Sequence, residues 1–250
     1  MRKYGIQVLL YSQYFLKVML ANLTVLTYTV LVPIILFALN TRGEWFKALT
    51  LAQFTTTVMP FVAWMIFSNT LIVIADIAML REQGYLKQYQ ALVVKPSVFI
   101  VSKALINLLL LGVVLTLVGL GGGLFFKLAP FTIIWRLWVV LLIVYLPIVS
   151  GCLPLLSWAL RYKTINAIMN LVMLGLAIGS AWLVATFSIS LNNIWMNLVN
   201  PIFFVTNSFS VLVSGHWMQF LPTYVSVLVV SLLIGHFSYR RFKLLPTEAL

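Results

Sequence analysis

Apolar residues occupy this chain in long blocks, and the polar residues gather in the stretches between them. Six blocks approach or exceed the roughly 20 residues that a helix needs to cross a hydrocarbon core. They cover 18–39, 49–74, 103–126, 137–160, 164–187 and 222–239. The pattern predicts an all-α polytopic membrane protein of one domain, 1–250, with six transmembrane helices. Two stretches are long and polar: the loop 76–103 between the second and third spans, and the segment 188–221 before the sixth, too interrupted to span. Pro33, Pro60, Pro147 and Pro154 fall inside expected spans, where neighbouring helices can satisfy the backbone groups a proline frees. The third span is glycine-dense in its outer half, at Gly119 and Gly121, Gly122 and Gly123, which permits close backbone approach or a local break. Gly175 and Gly179 stand at the spacing of a helix-contact motif.

The first 17 residues are patterned differently. On a helical wheel Lys3, Gln7, Gln13 and Lys17 share one face, and Tyr4, Val8, Leu9, Tyr11, Phe15 and Leu16 the other. Ser12 falls on the apolar side, and Ile6 and Leu10 on the basic one. This fits a helix lying in the interface at 1–17, its basic face toward anionic headgroups; the alternative is an inward extension of the first span. The short apolar core and small-residue cleavage site of a removable signal peptide are not found there.

Composition agrees with the pattern. Hydrophobic residues make up 63% of the chain and charged residues 8%, and the mean hydropathy is +1.09. A soluble domain cannot hide so much apolar surface behind a wettable exterior. The net charge of +12 is the ordinary outcome of lysine and arginine accumulating on the cytoplasmic side of a membrane protein, and no nucleic-acid partner is expected. Twelve of the 16 basic residues fall on one side of the six spans, which places both termini and the 76–103 loop in the cytoplasm. Cys152 is the only cysteine, so no intrachain disulfide can form.

The 76–103 loop carries two of the four acidic residues, Asp76 and Glu82, with Arg81, Lys87, Lys95 and Lys103. It reads as two cytoplasmic helical pieces split near Pro96, which disfavours helix at Lys95 and is suited to start the next segment. The amphipathic pattern is weak, because Arg81 falls between Ile77 and Leu80 on the wheel. Such a mixed-charge knob can receive a partner, or simply be a solvated face near the headgroups.

Arg81-Glu82-Gln83-Gly84-Tyr85-Leu86-Lys87, followed by Pro96 and Lys103, resembles the cytoplasmic loop of ABC-2 type transporter permeases, with its E-x-G-x-x-(K/R) run. Asn200-Pro201-Ile202-Phe203-Phe204-Val205 is similar to that family's N-P-aromatic stretch before the last span, although Ser208 and Ser210 stand where an arginine often closes it. The motifs span about 30 residues, and the order of elements matches over the whole chain.

The resemblance implies the transmembrane permease subunit of an ATP-driven exporter in a bacterial plasma membrane. It implies two ABC ATP-binding subunits beneath and a second permease chain completing a homodimer or heterodimer. ATP and magnesium would belong to the partner ATPase, since G-x-x-x-x-G-K-(S/T) occurs nowhere here; the chain itself is expected to be no enzyme and to hold no cofactor. Arg81, Glu82, Gly84, Tyr85, Leu86 and Lys87 would form the ATPase-coupling helix, with Glu82 pairing or accepting hydrogen bonds. Pro96 would break the loop, and Asn200, Pro201, Phe203 and Phe204 would belong to a re-entrant outer hairpin.

Ionisable residues sit at span ends rather than deep inside, which weighs against ion-driven secondary transport. His216 and His236 fall on opposite sides with no metal or catalytic spacing. Asn69, Thr70, Asn107, Asn166 and Asn170 in otherwise apolar spans suit an amphipathic cargo, a drug or an antimicrobial peptide. A glycan or teichoic-acid cargo and a non-transporting anchor or sensor subunit are the alternatives. The outer aromatics, Trp195, Phe203, Phe204, Phe209, Trp217 and Phe220, read as interface anchors or as a gate or sugar-stacking ring.

Overall fold

The computed structural model describes residues 2–21, 32–86, 95–158, 160–187 and 190–242. Residues 22–31 of the expected first span, and Lys87, lie outside the described residues. Every regular element among them is helical: α1 (Arg2–Ala21), α2 (Val32–Thr41), α3 (Leu51–Thr57), α4 (Met59–Glu82), α5 (Ser97–Phe126), α6 (Pro130–Cys152), α7 (Pro154–Ser157), α8 (Tyr162–Phe187), α9 (Ile194–Val199), α10 (Pro201–Ser214) and α11 (Trp217–Arg240). Among the described residues, four units are long and apolar enough to cross a membrane: α4, α5, α6 with α7, and α11. They make this a membrane protein.

α4 lies at the centre. In its most apolar window 72% of the residues are buried within the chain, against 28% for α11. α4 is predominantly apolar with no single apolar face, as suits a helix enclosed by others, whereas Val225, Val229, Leu233 and Phe237 of α11 face outward. The core joins Phe54 of α3, Val62, Met65 and Ile66 of α4, Val114 and Val118 of α5, Leu137 and Val144 of α6, and Val205 and Phe209 of α10.

Three boundaries differ from the sequence pattern. The 49–74 block is two helices: α3 stops at Thr57, and Pro60 sits in the first turn of α4 rather than mid-span, where its missing N–H leaves no bond unmade. α3 starts on a capping box, Thr50 with Gln53. Of the 76–103 loop, residues up to Glu82 continue α4 and those from Ser97 belong to α5, while the part of the expected helical pieces at 87–94 lies outside the described residues. Ala, Met, Leu, Arg and Glu favour helix up to Glu82, and the first breaker is Gly84. The fourth block begins earlier, at Pro130 in the first turn of α6, and Pro154 divides it into α6 and α7.

α1 crosses the start of α5. Tyr4, Val8, Tyr11, Ser12 and Phe15 form the contact: the Tyr4 hydroxyl meets Ser97 Oγ at 3.2 Å, the Tyr11 ring lies edge-on to Phe99, and Ser102 Oγ donates to the Val8 carbonyl. Ser12, which broke the apolar face of the wheel, donates to the Ser102 carbonyl at 3.5 Å. Leu9, on the predicted apolar face, is exposed.

α5 and α6 form the tightest hairpin, and glycine explains how. A Cβ on Gly112 would lie 2.4 Å from the Trp138 ring, on Gly119 2.5 Å from Ile134 Cγ1, and on Gly123 2.3 Å from Pro130 Cγ. Thr116 continues this small-residue ridge, and Trp138 Nε1 donates to its hydroxyl at 3.0 Å. The glycines bring the helices together without breaking α5. Among the described residues, such a Cβ on Gly175 or Gly179 of α8 would meet no other element within 4 Å. Gly112→Ala and Gly123→Ala should each lower stability by about 1–3 kcal/mol through overpacking. Gly121→Ala, whose Cβ has 3.6 Å of room, should not; thermal unfolding in detergent compares the three.

Candidate functional site

The Glu82 end of α4, the start of α5, and the turn from α7 into α8 meet at one pole of the bundle, and Arg81 and Glu82 of the motif lie there. Ile74, Ile77, Ala78 and Arg81 of α4 form one buried stripe at helical spacing. Arg81 is therefore carried to a core position and is only 2% exposed. A buried guanidinium requires acceptors, and it finds them at the end of α7. Nη1 donates to the carbonyls of Leu156 at 2.7 Å and Trp158 at 3.2 Å, and Nη2 to that of Leu160 at 2.8 Å. The chain turns extended at Trp158 (φ −74°, ψ 134°), which leaves these carbonyls without helical donors. A cation at the negative end of a helix also suits its dipole.

Glu82 completes the arrangement. Its Oε2 accepts the backbone N–H of Tyr162, the first residue of α8. Adjacent residues of opposite charge thus cap the end of one helix and the beginning of the next, each matched to the local dipole. Gly84, at φ 75°, then turns the chain out of α4 in a left-handed conformation that glycine adopts without strain. Beyond it Tyr85 faces outward at 45% exposure and Leu86 is buried. Pro96 immediately precedes α5 as its N-cap. Of the predicted coupling residues, Arg81 and Leu86 face into the chain, Glu82 bonds a neighbouring turn, and Tyr85 is the outward-facing side chain.

A second polar contact lies one helical layer away. Lys103 Nζ meets Asp76 Oδ2 at 3.3 Å between α5 and α4, and sits 4.8 Å above the Phe15 ring of α1. The sequence reading assigned no role to this pair. The signal was available: the two residues stand at nearly equal distances either side of the turn linking antiparallel helices. Asn107 donates to the Tyr145 hydroxyl, which donates to the Ala104 carbonyl, joining α5 to α6. Asn69 and Thr70 bond back to their own helix, at Met65 and Ile66, while Asn166 and Asn170 are exposed.

The other predicted set lies apart. α10 begins beside the middle of α4, where Pro201 and Phe204 share a cavity wall with Phe67 and Leu71. Asn200 Oδ1 accepts the Ile202 N–H at 2.9 Å, and Pro201 occupies the first helical turn. Phe203 and Phe204 are buried, and Phe204 stacks on Phe220 and Tyr224 of α11. Asn207 donates to Asn197, which donates to the Leu191 and Asn193 carbonyls and so ties α9 to α10. Trp195 and Trp217 are exposed, in contrast to Phe209 and Phe220, which are core. His216 and His236 are exposed near opposite ends of α11.

No protein-family model, curated protein or solved structure matches the chain.

Removing Arg81 should leave three backbone carbonyls without their donor in a site water does not freely enter. Arg81→Ala should destabilise the protein by about 3–5 kcal/mol, the range for breaking a buried charged contact. Arg81→Lys should recover only part of this, because a single ammonium on a shorter reach cannot fork to three acceptors. Asn200→Ala, which deletes a helix cap, should cost about 1 kcal/mol. Urea or thermal titration of the detergent-solubilised protein gives the ranking.

Proposed function

We propose that this chain is the membrane-embedded permease subunit of an ATP-driven ABC-2 type exporter. Six spans would cross a bacterial plasma membrane with both termini cytoplasmic: α2 with the residues before it, α3 with α4, α5, α6 with α7, α8 and α11. α1 would lie in the inner interface, and α9 with α10 would be the re-entrant hairpin, a reading supported by α10 beginning halfway along α4. Two ATP-binding subunits would dock at the pole that carries Glu82, and a second permease chain would complete the pathway.

The observation that carries the proposal is the double cap made by Arg81 and Glu82. A partner pressing on the turn after Glu82 acts on α4 directly. Through the two caps it also acts on the α7–α8 turn, so that spans far apart in sequence move together. A rigid link between a docking turn and the span ends is what a conformational change driven from outside the membrane requires. Arg81 and Glu82 would be the transmitting residues, and Tyr85 the one offered to the ATPase.

An amphipathic drug or antimicrobial peptide is the cargo best supported. Of the six outer aromatics, Phe203, Phe204, Phe209 and Phe220 are engaged in the core, which leaves only Trp195 and Trp217 exposed, too few for a sugar-stacking ring, and this disfavours a glycan.

Glu82→Ala should insert and assemble normally yet lose most of the coupling between cargo and ATP hydrolysis. The check is mild-detergent extraction from native membranes, mass spectrometry of the co-purified ATPase, and comparison of cargo-stimulated hydrolysis in the two proteins. Extraction with no ATPase bound, in several detergents, would replace the export reading with that of a membrane anchor or sensor. Unaltered coupling in the variant would remove Glu82 from the link.

A further inference from the structure

A cavity of about 390 Å³ opens between α1, α4 and α5, within the range of small-ligand sites. Asp76 and Lys103 lie in its wall, together with Ile72, Leu110 and Val18. Their side chains are 36% and 19% exposed, so the ion pair is neither sealed in the core nor free in solvent. Among the described residues the only hydrogen-bond partner of Asp76 is Lys103, through Oδ2, which leaves Oδ1 with an acceptor site. Lys103 is held on its other side by the Phe15 ring. The cavity thus offers one anionic and one cationic group, side by side, above apolar walls. Tyr14 and Val18 at its rim are each 48% exposed.

We propose that this cavity binds the headgroup of a zwitterionic phospholipid bearing a primary amine, phosphatidylethanolamine in its simplest form. The phosphate accepts from the Lys103 ammonium and the lipid ammonium donates to Asp76, while the acyl chains leave past Tyr14 and Val18. Three observations select this occupant. The chain is a membrane protein, so lipid is the ligand in constant supply. The site is electrically balanced, which gives a net anionic headgroup no advantage. Asp76 Oδ1 is open to an N–H donor, which a quaternary amine cannot supply. This inference does not depend on the export reading: the ligand would wedge α1 against α4 and α5 whatever the chain transports.

The test is native mass spectrometry of the whole protein, delipidated in detergent and offered equimolar phosphatidylethanolamine, its N,N-dimethyl form, phosphatidylcholine and phosphatidylglycerol. The wild type should retain the primary amine about tenfold over the quaternary one, the scale of a charge-assisted hydrogen bond, with the dimethyl form between. Asp76→Asn should bring that ratio close to one, and Lys103→Gln should weaken retention of the ethanolamine and choline lipids alike. The methylation series needs no variant, so it decides the matter even where a substitution disturbs folding. Equal retention of the ethanolamine and choline lipids by the wild type would overturn the proposal. So would preferential retention of phosphatidylglycerol, which would assign the site to Lys103 alone, or an unchanged ratio in a folded Asp76→Asn protein.

Discussion

A single guanidinium, buried on the central helix of an apolar bundle, holds the junction between two other helices. Arg81 is among the largest fully buried side chains of the protein, and nothing in the surrounding apolar packing compensates its charge. What makes the position tenable is the set of three carbonyls, of Leu156, Trp158 and Leu160, that have no helical donor of their own. Each half of the contact is unfavourable alone: a buried cation without acceptors, and a helix end turned into the protein without donors. Together they fix the register of α4 against the α7–α8 turn more tightly than apolar side chains could, since slippage by one residue forfeits all three bonds. Glu82 reinforces that register from the next position by holding the first N–H of α8.

The remaining contacts follow from the same scarcity of water. Within a bilayer apolar side chains gain little by leaving lipid for protein, so association rests on close packing and hydrogen bonds. The α5–α6 seam uses both, with Gly112, Gly119 and Gly123 under Trp138, Ile134 and Pro130, and the indole N–H on Thr116. Other hydroxyls bond back to their own helices, as Thr70 does on Ile66 and Ser208 on Phe204. These bonds hold no helices together, and they allow polar residues to sit in a core without partners across it. The loop before α3 serves the end of α5 in the same way, with the Phe46 and Leu49 N–H groups taking the Phe125 and Phe126 carbonyls.

Hydropathy alone revealed that the chain is helical and membrane-embedded, and roughly where α4, α5, α6 and α11 run, because a hydrocarbon core imposes length and composition directly. It revealed less about where helices stop. Block boundaries mark the edge of the apolar region, whereas a helix ends where its backbone bonds end, so α4 continues past Asp76 to Glu82 and α5 begins six residues before Lys103. The inward direction of Arg81 was written in the spacing of Ile74, Ile77, Ala78 and Arg81. The wheel registered it as a blemish, since charge was expected to face outward. Ser12 is the same case on α1: a polar residue on an apolar face marks a helix contact, here with Ser102. The acceptors at 156–160 were not legible, because which helix end lies against α4 is a matter of tertiary arrangement that local pattern does not carry.

The two poles of the bundle are therefore built on different physics. One is held by charge: Arg81 and Glu82 on the α7–α8 turn, and Asp76 with Lys103 between α4 and α5. The other is packed mainly on aromatic rings, Phe37 and Phe54 against Phe126 and Phe54 against Phe209, and its one ion pair among the described residues, Lys47 with Glu44, is exposed at the surface. Apolar aromatic contacts are short-ranged and numerous, and they resist rearrangement because any shift opens voids. Charged contacts are few, directional and replaceable by a ligand or partner that supplies the same groups. A structure so divided has one end disposed to respond and one disposed to stay. The glycine seam of α5 and α6 lies on the aromatic side of this division, where Gly112, Gly119 and Gly123 leave no room for the two helices to shift against each other.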